Sequence, residues 1–177
     1  MLTLDLENLH KINSHHGLAK QEFKTLNRNL DKYLQQISKR DLGFYNCLDD
    51  SETIEDIISF SKQIHGKFSH IVVLGIGGSA LGAICLQQSF SHLFKTPQLH
   101  VIDNIDPILI TELEDVIDYS KTLFIVITKS GATPETLAQY FYFKKQCLQK
   151  KIDAKQHFVF ITDPNQGFLR QIAKKDD

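Results

Sequence analysis

Apolar positions recur with two different periods along the chain, and the change from one to the other divides it. Between residues 21 and 38 they fall at Phe23, Leu26, Leu30, Tyr33, Leu34 and Ile37, the spacing of one face of an amphipathic helix. A polar break containing Gly43 follows. Ile54, Ile57, Ile58 and Ile64 then repeat the helical period behind the cap candidates Asp49, Asp50 and Ser51, which predicts a second helix. Beyond residue 70 the pattern changes to short β-branched and apolar runs at 71–74, 99–102, 123–128 and 158–162, each suited to a buried strand. Segments 81–94, 107–117 and 134–148 lie between them and are long enough for helices. Strands alternating with helices predict right-handed βαβ units on a parallel sheet. The expected fold class is therefore α/β, a doubly wound parallel-sheet α/β/α sandwich preceded by N-terminal helices. Residues 1–40 read as a helical arm and 41–177 as the α/β domain. The run 167–173 reads as a last helix beginning, so the chain is expected to stop partway through its architecture.

Composition narrows the function classes. With 42% hydrophobic and 23% charged residues the chain belongs with folded globular proteins rather than disordered ones. A net charge of -1 at pH 7 provides no broad basic field of the kind that draws nucleic acid or a membrane surface, so any anion must be caught locally. Cys47, Cys85 and Cys147 are odd in number and lie outside any CxxC pattern, which suggests neither a disulfide framework nor a zinc site and fits the cytoplasm. Cys85 and Cys147 read as core residues on apolar helix faces. The first seven residues lack a basic stretch followed by an apolar one, and no apolar run approaches the ~20 residues of a membrane span. Neither export nor membrane insertion is expected. His15 and His16 diverge as sequence neighbours, and the other histidines lack ligand spacing, so no metal site is expected. The aromatic cluster Tyr140, Phe141, Tyr142 and Phe143 reads as packing or an interface.

In open parallel sheets, ligands settle beyond the carboxyl ends of the strands, so the turns after each strand carry the chemistry. Two are unusual. In Gly75-Ile76-Gly77-Gly78-Ser79-Ala80-Leu81-Gly82 the glycines permit positive φ and close approach of a ligand to the backbone, and Ser79 is expected to open the next helix. Exposed amides and the helix dipole there favour an anion. In Thr128-Lys129-Ser130-Gly131-Ala132-Thr133-Pro134-Glu135-Thr136, Pro134 marks a helix start and Thr133 its cap. Lys129 and the hydroxyls ahead of that helix can direct several donors at one set of phosphate oxygens. Either turn alone could be ordinary packing or capping. Together, after the first and third strands, they would lie on one edge of one sheet and make a site.

These two segments resemble the sugar isomerase (SIS) fold and, within it, the glucose-6-phosphate isomerase family. The first is similar to the family's GIGGSxLG motif and the second to its SKSGTTxET loop, with Thr128 in place of Ser and Ala132 in place of Thr. The first change keeps a hydroxyl, and the second removes one side-chain donor. Asp41-Leu42-Gly43-Phe44, Asn104-Ile105-Asp106-Pro107, Thr162-Asp163-Pro164 and the run 167–173 extend the resemblance over residues 41–173. It implies interconversion of glucose 6-phosphate and fructose 6-phosphate through a cis-enediol(ate), with no metal and no redox cofactor. It implies that Gly78, Ser79, Thr128, Lys129, Ser130, Gly131 and Thr133 hold the sugar phosphate, with Glu135 near the site but not the base. By the same resemblance the sheet should have a fifth strand and the full-length enzyme should be a homodimer. No catalytic residue is expected in this chain, since the family's base, ring-opening histidine, lysine and arginine come from the other half. The chain is therefore expected to bind phosphosugars weakly without turning them over.

Two other readings stay open at the level of sequence. Gly75-x-Gly77-x-x-Ala80 satisfies a relaxed dinucleotide fingerprint, with Asp103 ending the second strand where a ribose-binding acid would sit, as in a nicotinamide-dependent oxidoreductase. A non-catalytic phosphosugar-binding module on the same fold is the other, because fold alone does not separate regulator from enzyme.

Overall fold

The computed structural model describes residues 5, 7–13, 15–40, 43–93 and 95–176. Asp41, Leu42 and Phe94, named above in a motif and a helix, lie outside them. The chain divides into two compact units, Met1–Ser59 and Phe60–Asp177.

The first unit is helical. After a short turn at Glu7–His10 come α1 (Lys20–Arg28), α2 (Leu30–Ser38), the single turn α3 (Gly43–Asn46) and the start of α4 (Ser51–Ile64). The one helix expected over 21–38 is two. Asn29 leaves helical geometry (φ -99, ψ 6), and its side-chain amide donates to the Thr25 carbonyl at 3.0 Å. Asparagine offers the backbone a local partner that competes with the helix ladder, and here that competition breaks the helix. Of the cap candidates for α4, Asp50 takes the role: its carboxylate accepts from the Thr53 amide at 3.1 Å and the Thr53 hydroxyl at 2.7 Å.

The second unit carries the sheet, in the order β1 (His70–Leu74), α5 (Gly78–Phe90), β2 (Gln98–Ile102), α6 (Pro107–Val116), β3 (Thr122–Thr128), α7 (Pro134–Gln149), β4 (Phe158–Thr162) and α8 (Phe168–Asp176). All strand pairs are parallel, in the spatial order β2-β1-β3-β4. From β1 the chain steps one way to β2, then reverses past β1 to β3 and continues to β4. Right-handed crossovers therefore put α5 on one face of the sheet and α6 and α7 on the other, which is the doubly wound arrangement. The reversal makes the carboxyl ends of β1 and β3 the two sides of a crevice.

The core lies between the sheet and α6 and α7. Val72, Leu74, Ile102, Phe124 and Val126 meet Leu113, Tyr140, Phe143, Cys147 and Leu169 there. Phe124 stacks on Phe143 and on Phe158 with ring centres 5.0 and 4.9 Å apart, so the aromatic run of α7 is packing at Tyr140 and Phe143, while Phe141 is exposed. Cys147 is a core residue as expected. Cys85 is not: it is exposed. Helix α5 is apolar on nearly every side, with Leu81 and Leu86 also exposed, so its periodicity does not mark which face is covered. Among the described residues no helix is long and apolar enough to cross a membrane.

Candidate functional site

The first turn leaves β1 through Gly75, whose amide donates to the Ile102 carbonyl at 3.3 Å. A side chain on Gly75 would meet the Ile127 carbonyl at 3.0 Å, so the turn can lie this close to β3 only with glycine. Gly77 follows at φ 57, ψ -123, and caps α5 without a side chain. The helix opens at Gly78, not at Ser79, which sits one residue inside. Ala80 and Leu81 donate to the Gly77 carbonyl, both at 3.0 Å, but among the described residues no acceptor faces the Gly78 amide. A Cβ at Gly78 would meet nothing within 4 Å, so this stretch of backbone is open to a ligand.

The second turn leaves β3 at Thr128, which is 2% exposed. Its hydroxyl lies 2.8 Å from that of Thr133 and 3.5 Å from that of Ser130. Gly131, at φ 65, donates to the Thr128 carbonyl at 3.2 Å, and Ala132 donates to the Ser130 hydroxyl at 3.2 Å. Thr133 stands at the cap position of α7 ahead of Pro134, as expected, but its hydroxyl turns to Thr128 and does not cap the helix. Among the described residues the Glu135 and Thr136 amides at that end keep no acceptor. Helix α6 differs: the Asp106 carboxylate accepts from the Ile108 amide at 2.8 Å and closes its N-terminus to an anion. Of the three helices that follow β1, β2 and β3, α5 and α7 are left without a side-chain cap and α6 is not.

The turn after β4 braces the second turn from behind. The Thr162 hydroxyl donates to the Thr128 carbonyl at 2.7 Å, and the Leu169 amide to the Gly131 carbonyl at 2.8 Å. Gly167, at φ 96, lies against Gly131 so closely that a Cβ there would sit 2.5 Å from the Ser130 carbonyl oxygen. Sequence reasoning misses this bracing. Its one local signal is a glycine placed soon after a strand.

Gly78 and Ser79 from the first turn and Lys129 from the second line one open depression of about 690 Å³, with Ile76, Ile127, Ile161, Thr162, Asp163 and Pro164 completing its wall. Thr128 and Gly131 are buried and lie outside that lining, Ser130 is exposed, and Thr133 and Glu135 are partly buried in or before the first turn of α7. Asp163 accepts from the Asn165 and Gln166 amides at 2.8 and 3.0 Å, and these bonds hold its carboxyl below the usual carboxylate range. Lys129 therefore shares the depression with a carboxylate, and the uncapped Gly78 amide adds to the attraction for an anion there. Among the described residues no group of three or more His, Cys, Asp or Glu side chains converges as a metal site would require. Asp103, the acid a dinucleotide would use, is exposed beyond β2 and held by the Asn104 side-chain amide at 3.3 Å.

Residues 51–169 match the profile of the family described as phosphoglucose isomerase. The chain is similar to the glucose-6-phosphate isomerase of Carboxydothermus hydrogenoformans, with 39% identity over 77% of this chain and 32% of that protein. Among solved structures it is similar to a hypothetical protein from Thermus thermophilus, at a TM-score of 0.77 and 30% identity, over 86% of this chain and 39% of that one. It is also similar to a glucose-6-phosphate isomerase from Chlamydia trachomatis, at a TM-score of 0.62 and 30% identity, over 66% of this chain and 23% of that one. The chain thus spans well under half the length of the relatives it matches.

Proposed function

We propose, from the premise that the chain belongs to the phosphoglucose isomerase family, that its two uncapped turns bind the phosphate of glucose 6-phosphate or fructose 6-phosphate for aldose-ketose isomerisation. The observation that carries this reading is the meeting of Gly78, Ser79 and Lys129 on one depression, onto which the N-terminus of α5 opens with no side-chain cap. Donors to the phosphate are the Gly78 amide, the Ser79 hydroxyl, the Lys129 ammonium, and the hydroxyls of Ser130 and Thr133, while the Ser79 amide is taken by the Ile76 carbonyl at 3.2 Å. Thr128 and Gly131 hold the second turn in shape. At ~1.5–3 kcal/mol for each charge-assisted hydrogen bond, several of these would dominate recognition of a small phosphorylated ligand.

The phosphate is remote from the reacting C1 and C2, so its binding energy serves to place them for proton transfer. Glu135 stands beside the site in the first turn of α7 and is not assigned that transfer, and no residue of this chain is. The SIS classification of the domain, a cytoplasmic location and a homodimeric full-length enzyme belong to the same proposal, supported by the motif resemblance and by the odd, unpaired cysteines.

The test is a titration of the ¹⁵N-labelled 177-residue chain with glucose 6-phosphate and with glucose. Binding that needs the phosphate and shifts the Gly78, Ser79 and Lys129 amides is expected. Equal response to glucose, or shifts confined to other surfaces, would overturn the assignment. In a coupled assay the same chain should not isomerise either sugar phosphate, and sustained turnover free of host enzyme would refute that part.

A further inference from the structure

We infer that Gln139 is a positioning residue that sets the separation of the two phosphate-binding turns. The inference rests on the phosphate-site reading above and deepens it. Gln139 is 1% exposed, on the face of α7 that packs against the sheet. Its side-chain amide donates to the Ile102 carbonyl at 3.2 Å and to the Asn104 carbonyl at 2.8 Å. Both partners are carbonyls, so the nitrogen must face them. The Ile102 carbonyl also accepts the Gly75 amide at 3.3 Å. Gly75 begins the first turn, and Thr133, at the cap of the helix that carries Gln139, ends the second. A continuous line therefore runs from Gly75 through Ile102 and Gln139 along one rigid helix to Thr133, joining the two sides of the crevice.

The cost of placing a glutamine here argues that its hydrogen bonds matter more than its bulk. A buried polar group is unfavourable unless paired, and an apolar residue of the same size would fill the space without that penalty. The Gln139 side-chain oxygen, and the Thr136 hydroxyl one turn earlier on the same face, are buried with no partner among the described residues. A role in packing alone would require neither.

The test compares Gln139→Met, which keeps length and removes the donor, with Gln139→Glu, which keeps shape and turns a charged acceptor toward two carbonyl oxygens. Glucose 6-phosphate affinity is measured by titration, and amide hydrogen exchange is followed at Gly75 with Val72 and Val73 as internal references. Both variants should fold, bind glucose 6-phosphate about three- to tenfold more weakly, and exchange the Gly75 amide faster while Val72 and Val73 keep wild-type protection. For Gln139→Glu the deficit relative to wild type should narrow as the pH is lowered, because a protonated carboxyl can again donate to one of the carbonyls. A folded Gln139→Met chain with wild-type affinity and unchanged Gly75 exchange would overturn the inference. Should Gln139→Met not fold, Gln139→Glu decides by the same two readouts. If the wild-type chain binds no glucose 6-phosphate, the site reading fails, and Gly75 exchange alone then judges the link through Gln139.

Discussion

Adding one methyl group at Gly167 should disturb the second turn, 36 residues earlier in sequence, more than any change at its exposed rim. At φ 96 the backbone of Gly167 is in a region that side-chain-bearing residues rarely adopt, and the new Cβ would lie 2.5 Å from the Ser130 carbonyl oxygen and 2.9 Å from Gly131 Cα. Both neighbours are backbone, so the 128–133 turn has to move. Forcing the conformation costs about 1–3 kcal/mol, and overpacking adds about 1–3 kcal/mol. Gly167→Ala should therefore lose on the order of 2–6 kcal/mol, or roughly 4–24 °C of melting temperature for a chain of this size. Gly78→Ala is the contrast. Its Cβ would meet nothing within 4 Å, and alanine is favoured over glycine in a helix by up to ~1 kcal/mol, so its stability should hold or rise. Because the methyl would stand where the phosphate approaches the backbone, its glucose 6-phosphate affinity should fall by about tenfold or more. Thermal unfolding followed by circular dichroism, paired with ligand titration, separates the two variants. A Gly167→Ala chain melting within about 2 °C of wild type would refute the bracing, and a Gly78→Ala chain with undiminished affinity would refute close approach at the first turn.

Asp106→Ala removes the side-chain cap of α6 and should cost about 1 kcal/mol in denaturant unfolding, with no loss of phosphate affinity, because Asp106 does not line the depression. Burial, and then the charge of His70 at 3.2 Å, hold His100 below the usual imidazole value. A depressed folded-state value contributes stability above ~6.5, the unfolded value, that is lost as pH falls through the folded one. Between pH 7 and pH 5 the wild-type chain should therefore lose more stability than His100→Asn, and equal losses would exclude the effect. Burial pushes the Cys147 thiol up to about 11, whereas Cys47 and Cys85 are exposed. A disulfide reagent at pH 8 should label those two in the folded chain and reach Cys147 only on unfolding, so rapid reaction of all three would contradict the packing of α7.

The strands were legible because strands of a parallel sheet are written as near-continuous apolar runs, most clearly in the central β1 and β3, which are the most deeply buried. What such runs miss is their polar first residue: His70, Gln98 and Thr122 each begin a strand one position before the run does. The break at Asn29 was invisible because Leu26, Leu30 and Tyr33 keep the helical period straight across it. The two turns were legible from glycines, hydroxyls and Pro134, yet nothing local tells the Thr133 hydroxyl to prefer Thr128 over its own helix, or brings Gly167 against Gly131. Those choices are made by residues distant in sequence. Gln139 differs, because its position did carry a signal. Helix α7 buries Thr136, Gln139, Tyr140, Phe143 and Cys147, a stripe at i, i+3, i+4, i+7 and i+11. Read outward from Tyr140, Phe143 and Cys147, that stripe requires an apolar residue at 139, and the chain has glutamine. A polar residue in the buried stripe must find partners there or destabilise the helix that carries it. On α7 the partners it finds, the Ile102 and Asn104 carbonyls, lie at the carboxyl end of β2, beside the crevice where the two turns meet.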